Sequence, residues 1–218
     1  KLLEKLSKEY RRIAYIDSHA GAGIYILDKK RIGKINEFKE KVNKESTAWT
    51  LFDHLNPLLD SRYFGSWVLA VKYFSESKIK YKAILYECHK EAVVRIKHAV
   101  AQLSLKAIDL TAGKADPEYI KKVVSARMHE GFEAIVLLVD PYWKVGKEDL
   151  PWIEVLEHDE PGLYTMLFDF ARATGKDETG NLKLRWHAKE HLISYRTDTI
   201  FGYAIFGNEQ AYKIFTRS

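Results

Sequence analysis

The chain has 218 residues, 46% hydrophobic and 30% charged, enough for one full-sized domain with a buried core and too few for a second large one. Lys and Arg outnumber Asp and Glu by 35 to 30, a net charge of +5 that permits a polyanionic partner without requiring one. The single cysteine, Cys88, excludes an intramolecular disulfide framework and a multi-cysteine zinc site, and fits a reducing compartment, with the cytoplasm the expected location. No apolar stretch approaches the roughly 20 residues that span a bilayer, and the charged start Lys1 to Lys8 is unlike a signal peptide. Membrane, collagen-like and disordered classes are excluded.

Ile13 to Ile16 is a short apolar run that ends in Asp17 and breaks into Ser18-His19-Ala20-Gly21-Ala22-Gly23, a strand running into a glycine turn. From Lys29 to Lys44 seven basic residues face only Glu37 and Glu40, and Ile32, Ile35, Phe38 and Val42 recur every three or four positions. That spacing predicts a basic amphipathic helix. Ser46 to Leu59, bearing Trp49, Phe52, Leu55 and Leu59, continues as a second helical piece, so a helical insertion is expected over about 28–62.

Gly65-Ser66 opens a helix through Phe74. Strands follow at Lys82 to Tyr86, Lys106 to Leu110 and Ala134 to Val139. Helices alternate with them at Lys90 to Leu103 and from Asp116-Pro117 to Met128, with proline in the tolerated first position. After a polar helix-like stretch around Asp149 to His158, further strands are expected at Tyr164 to Phe170, Lys183 to Ala188 and Thr199 to Phe206. Continuous apolar strands between amphipathic helices imply an α/β, Rossmann-like domain spanning residues 1–218, its mostly parallel central sheet covered by helices on both faces. Only Ala171 to Asn181 would link the strands at Tyr164 and Lys183, too little for a crossover helix, so an altered C-terminal topology is expected.

Ligands of open parallel sheets lie outside the carboxyl ends of the strands. Asp17 with Gly21 and Gly23, then Glu87, then Asp140 would line that edge. Glycines after the first strand allow close backbone approach, and an acid after the second can hold two ribose hydroxyls, which together describe a pocket for a nucleoside-containing cofactor. A dinucleotide turn would need a third glycine where Ile26 stands, and no phosphate-loop spacing is present. Asp140-Pro141-Tyr142-Trp143 leaves the fourth strand with an acceptor able to bind an exocyclic amine and with aromatics able to stack on a base. An Asp-Pro turn with an N-cap is the alternative use of the same residues.

These residues resemble a known family. Tyr15-Ile16-Asp17-Ser18-His19-Ala20-Gly21-Ala22-Gly23-Ile24-Tyr25 is similar to the Tyr-Leu-Asp-Thr-His-Ala-Gly-Ala-Gly-Arg-Tyr signature of the bacterial 23S ribosomal RNA adenine-N6 methyltransferases of the RlmJ type. Phe64-Gly65-Ser66-Trp67 resembles that family's Pro-Gly-Ser-Pro, Tyr86-Glu87-Cys88-His89 its Glu-Leu-His, and Val139-Asp140-Pro141-Tyr142-Trp143 its Ile-Asp-Pro-Pro-Tyr. The likeness covers Arg12 to Leu150, and more loosely Gly202 to Asn208. The three-Cys-motif partner proteins share a Phe-Ala-Gly-x-Gly block and a Gly-Ser-Pro, but His19 favours the first group.

The resemblance implies a class I S-adenosylmethionine-dependent methyltransferase of RNA. Gly21 and Gly23 would lie against the cofactor, with Asp17 and His19 in the same turn, Ser66 near its methionine end, Glu87 on the ribose and Asp116 at the adenine, where Asp109 competes. Asp140, Pro141, Tyr142 and Trp143 would form the catalytic motif, and adenine N6 of ribosomal RNA would be the target. Tyr142 replaces the family's second proline, which keeps cytosine N4 open and leaves Trp143 at the stacking position. The family's histidine-rich arm before the first strand has no counterpart in the sequence from Lys1, having been lost or lying outside it. A cofactor-binding partner module without its own activity, or a small-molecule methyltransferase, are the competing classes.

His19 has three uses open to it: orienting the cofactor carboxylate, orienting the substrate base, or capping the turn. Lys29, Lys30, Arg31, Lys34, Lys39 and Lys41 form either a solvated face or an RNA-phosphate contact. The histidines show no metal-ligand spacing, and His187 with His191 would be held apart by a strand, so no metal is expected. Cys88 is expected to pack beside Glu87, and Trp49, Phe52, Trp67 and Tyr73 to pack in the interior. The protein is expected to act as a monomer.

Overall fold

Six consecutive aliphatic residues, Ala134–Val139, form a strand in which every side chain is buried, as a strand covered on both faces requires. The computed structural model describes residues 2–28, 54, 62–139, 163–171, 192–197 and 201–207. In chain order its elements are α1 (Leu2–Glu9), β1 (Arg12–Asp17), β2 (Ile24–Ile26), β3 (Arg62–Phe64), α2 (Ser66–Glu76), β4 (Lys80–Glu87) and α3 (Lys90–Gln102). There follow β5 (Ile108–Ala112), α4 (Pro117–His129), β6 (Ala134–Val139), β7 (Leu163–Ala171), β8 (Leu192–Thr197) and β9 (Phe201–Gly207).

One seven-stranded sheet has the order β5-β4-β1-β6-β7-β9-β8. Strands β5, β4, β1, β6 and β7 are parallel. β9 runs antiparallel to both β7 and β8, so β8 points with the parallel set. The chain order reverses at β1, which lies between β4 and β6, and this is the point at which such sheets open a ligand crevice. Asp17 is in register with Leu85 and Leu138, so Glu87 and Val139 lie beyond it at one edge.

The expected strand pattern holds through β6, but the C-terminal expectation is corrected. Residues 183–188 lie outside the described residues, and the strand before the last is Leu192–Thr197. Residues 172–191 therefore join β7 to β8, more than the dozen that a parallel connection needs. Leu192-Ile193-Ser194-Tyr195-Arg196-Thr197 is the last strand in the sheet order, and its mix of polar and apolar residues lacks the continuous apolar run that marks β6.

Two short features escaped the sequence pattern. α1 docks through Leu6, fully buried, and through a 2.7 Å hydrogen bond between the hydroxyls of Ser7 and Tyr73 on α2. β2 and β3 pair antiparallel, with the Tyr25 and Tyr63 rings stacked at 4.9 Å, and this ribbon brings together the two ends of the expected insertion. The insertion itself lies outside the described residues except His54, which is helical and whose Nε2 sits 3.0 Å from Glu76 of α2.

The core forms where α2 covers β1 and β4. Trp67 and Phe74 on α2 are fully buried among Ile13, Tyr15, Ala83 and Leu85. Replacing Trp67 with alanine is expected to cost about 3–5 kcal/mol, as large-to-small core changes do. Denaturant unfolding measures it, and a loss below about 1 kcal/mol would contradict this packing.

Candidate active site

Asp17 is a fully buried carboxylate, a costly group unless hydrogen-bonded. Its donors include the Tyr15 hydroxyl at 2.9 Å, the His19 amide at 3.1 Å and, more loosely, the Ser66 hydroxyl at 3.4 Å. Asp17 thus ties the end of β1 to the glycine turn and to the start of α2. That helix has Gly65 as its N-cap with no side-chain acceptor, so its first-turn amides are not capped from within.

Gly21 and Gly23 have φ of +62° and +76°, the left-handed region that favours glycine. A Cβ on Gly21 would collide with the Tyr25 hydroxyl, and one on Gly23 with the Trp67 indole. The space gained by each missing side chain is therefore filled by the protein's own aromatics, packed under the turn. The carbonyl of Gly23 also accepts from the Gly65 amide at 2.7 Å, which joins the turn to the N-cap of α2.

Glu87 closes the site from β4. Its Oε2 accepts the Gly21 amide and its Oε1 the His89 amide, each at 2.8 Å. The Ala20 amide bonds the Tyr86 carbonyl at 3.0 Å, and the Gly113 amide the Glu87 carbonyl at 2.9 Å, so the exits of β1, β4 and β5 are linked. Each carboxylate oxygen offers two acceptor positions, and one backbone bond apiece leaves Glu87 with capacity for two hydroxyl donors.

His19 follows in the same turn. Burial lowers its pKa to about 4; the nearby Lys114 adds to this and the Glu87 carboxylate opposes it. The imidazole is therefore neutral above pH 5. Lys114 comes from the loop after β5, which also presents Asp116. Asp116 is exposed and N-caps α4, its Oδ1 accepting the Tyr119 amide at 2.9 Å. The competing Asp109 lies within β5 and pairs with Lys82 of β4 at 2.8 Å, which leaves Asp116 as the acid at the carboxyl edge.

The structure thus brings together Asp17, His19, Gly21, Gly23, Ser66 and Glu87, with Asp116 one strand away. Asp140, Pro141, Tyr142 and Trp143, and Lys29, Lys30, Arg31, Lys34, Lys39 and Lys41, lie outside the described residues. Cys88 requires a correction: its thiol is exposed, not packed, because β4 ends at Glu87 and the chain turns outward there into α3. Among the described residues, Glu87, Cys88 and His89 have potential metal-ligand atoms within 4.8 Å of one another, but both Glu87 oxygens already hold backbone amides. Sequence reasoning missed Ser18, Tyr25 and the site role of Trp67. The turn glycines were the signal for the two aromatics, since something must fill the space beside them.

No protein-family model matches the chain, and no curated protein matches it. Among solved structures it is similar to protein LPL1258 from Legionella pneumophila, of the family model DUF519, with 18% identity and a TM-score of 0.63 over 94% of this chain and 80% of that one. An rRNA methylase from Streptococcus thermophilus matches at 9% identity and TM-score 0.46, over 94% of this chain and 92% of its own. A SAM-dependent methyltransferase from Aquifex aeolicus matches at 13% and 0.43, over 94% and 89%. At these identities the likeness concerns fold. The strand order, with β9 reversed between β7 and β8, makes the domain Rossmann-like, of the class I methyltransferase type.

The depressed His19 pKa has a consequence for stability. Between pH 6.5 and about 4 the unfolded chain binds a proton that the folded chain refuses, so the His19 contribution is complete above 6.5 and is lost as the pH falls through this window. Thermal unfolding of wild type and His19→Asn should converge toward pH 4; a constant difference between them from pH 7 to 4 would contradict a buried neutral imidazole.

Proposed function

We propose that the chain is a cytoplasmic S-adenosylmethionine-dependent methyltransferase acting on an exocyclic base amine of RNA, adenine N6 of ribosomal RNA being the target favoured by the sequence resemblance. The observation that carries the cofactor reading is the Glu87–Gly21 bond. It places a buried carboxylate with remaining acceptor capacity directly against a left-handed glycine turn at the strand-order reversal.

In this reading Glu87 accepts the two ribose hydroxyls, the backbone of Gly21 and Gly23 borders the cofactor, Asp17 and His19 hold the turn, Ser66 stands at the methionine end and Asp116 at the adenine. When bound, the cofactor supplies a sulfonium-activated methyl group. Asp140 would accept a hydrogen bond from the target amine, orient its nitrogen lone pair and take up the proton that the amine loses on methylation. Pro141 stiffens that exit, and Tyr142 and Trp143 give an extruded base an aromatic surface. Lys29, Lys30, Arg31, Lys34, Lys39 and Lys41 contact phosphates, and the enzyme acts as a monomer.

Asp140→Ala should lower methyl transfer to RNA by about 10²-fold or more, while S-adenosylmethionine binding stays within about twofold. Transfer of labelled methyl groups to RNA, with mass spectrometry of the digested nucleosides, reads both the loss and the base; full activity in the variant would contradict the assignment. Neutralising the six basic residues should also flatten the salt dependence of RNA binding, by close to one in slope per phosphate contact removed. An unchanged slope would remove the insertion from the RNA interface.

A further inference from the structure

Where β4 ends, three metal-ligating side chains of different kinds follow one another, Glu87, Cys88 and His89. A carboxylate oxygen, the thiol sulfur and a ring nitrogen of these residues lie within 4.8 Å of one another. The Glu87 carboxylate gathers them: its Oε1 accepts the His89 amide at 2.8 Å and so folds the chain back just past the strand. Its Oε2 accepts the Gly21 amide at 2.8 Å, and the residue is only 7% exposed, so the carboxylate is fixed in place. Cys88 and His89 are exposed. His89 is the N-cap of α3 through its backbone, its ring making no cap bond. Among the described residues no hydrogen bond engages the thiol or the ring.

We propose that Glu87, Cys88 and His89 form a binding site for a thiophilic divalent cation of the zinc type, and that its occupancy excludes the cofactor by taking the acceptor positions of Glu87 that a ribose would use. The exclusion rests on the function proposed above; the metal site does not. Sulfur, nitrogen and oxygen donors together suit zinc, whose tetrahedral sites place ligand atoms about 3.3–3.8 Å apart. Rotation of the two exposed side chains about the fixed carboxylate closes that difference. Each Glu87 oxygen has accepted one amide and keeps one acceptor position, so the amides do not block a metal. The thiol binds as the thiolate, its proton passing to solvent. Charge alone would not hold a cation here, because α3 turns its positive amino end toward these residues, offset by Glu91 in its first turn. Affinity therefore depends on sulfur and nitrogen, and magnesium, which binds through oxygen, is rejected. Three protein ligands leave a fourth position to water, which makes the site a reversible one.

Metal titrations of the protein without cofactor test this directly. Wild type should bind zinc in calorimetry, and cobalt(II) should give a thiolate-to-metal absorption band that only Cys88, the one cysteine, can supply. Cys88→Ala should abolish the band, and Cys88→Ala and His89→Ala should each weaken zinc binding at least about tenfold. No band in wild type, unchanged zinc affinity in either variant, or magnesium binding as tight as zinc would overturn the site. In a second arm, zinc at about ten times its Kd should weaken S-adenosylmethionine binding to wild type about elevenfold, and to Cys88→Ala no more than about twofold. Equal cofactor affinity of wild type with and without zinc would overturn the exclusion. If the cobalt band appears yet metal-free wild type binds no S-adenosylmethionine, the function proposed above fails while the metal site stands.

Discussion

The carboxyl edge of the sheet depends on two buried carboxylates that water does not solvate. Asp17 and Glu87 each need hydrogen-bond donors from the protein, and the donors available are the amides and hydroxyls of the loops leaving the strands. That requirement folds the Ser18 to Gly23 turn back onto β4 and holds the start of α2 over β1. A buried acid left short of donors would cost about 1–3 kcal/mol for each bond missing, so the turn's shape follows from where the two acids sit.

The same constraint explains the division of labour among the acids. Asp17 is in register with Leu85 and Leu138 and lies one step inside the edge, where it accepts from Tyr15, His19 and Ser66 and acts as a strut. Glu87 projects further, accepts one amide on each oxygen and keeps capacity for a ligand's hydroxyls. Beneath the turn, Tyr25 and Trp67 occupy the volumes that side chains on Gly21 and Gly23 would need, which joins the site to the aromatic core of α2.

Much of this was legible in the sequence, and the exceptions have physical causes. The aliphatic runs of β1, β4 and β6 announced a buried parallel sheet, and Asp17, Gly21, Gly23 and Glu87, which follow β1 and β4, lie together at its carboxyl edge. β8 went unanticipated because an edge strand needs no continuous apolar run, and β2 and β3 are only three residues each, too short to show a period. Cys88 was expected to pack, but strand alternation past Glu87 ceased where the chain turned toward α3. Ser18 went unnoticed because a serine in a turn has no sequence signature of its own; its hydroxyl meets the Leu138 carbonyl, a neighbour remote in sequence.

The central claim is that Glu87, braced by Gly21, forms the ribose end of a cofactor pocket. Calorimetric titration of S-adenosylmethionine into wild type and Glu87→Gln tests it most directly. The amide keeps the size of the side chain but loses its charge and sets an NH2 group against one of the two backbone donors. Wild type should bind one equivalent, and the variant should bind at least about tenfold more weakly, as expected when a charge-assisted acceptor is lost. No binding by wild type, or equal affinity in the two proteins, would contradict the account.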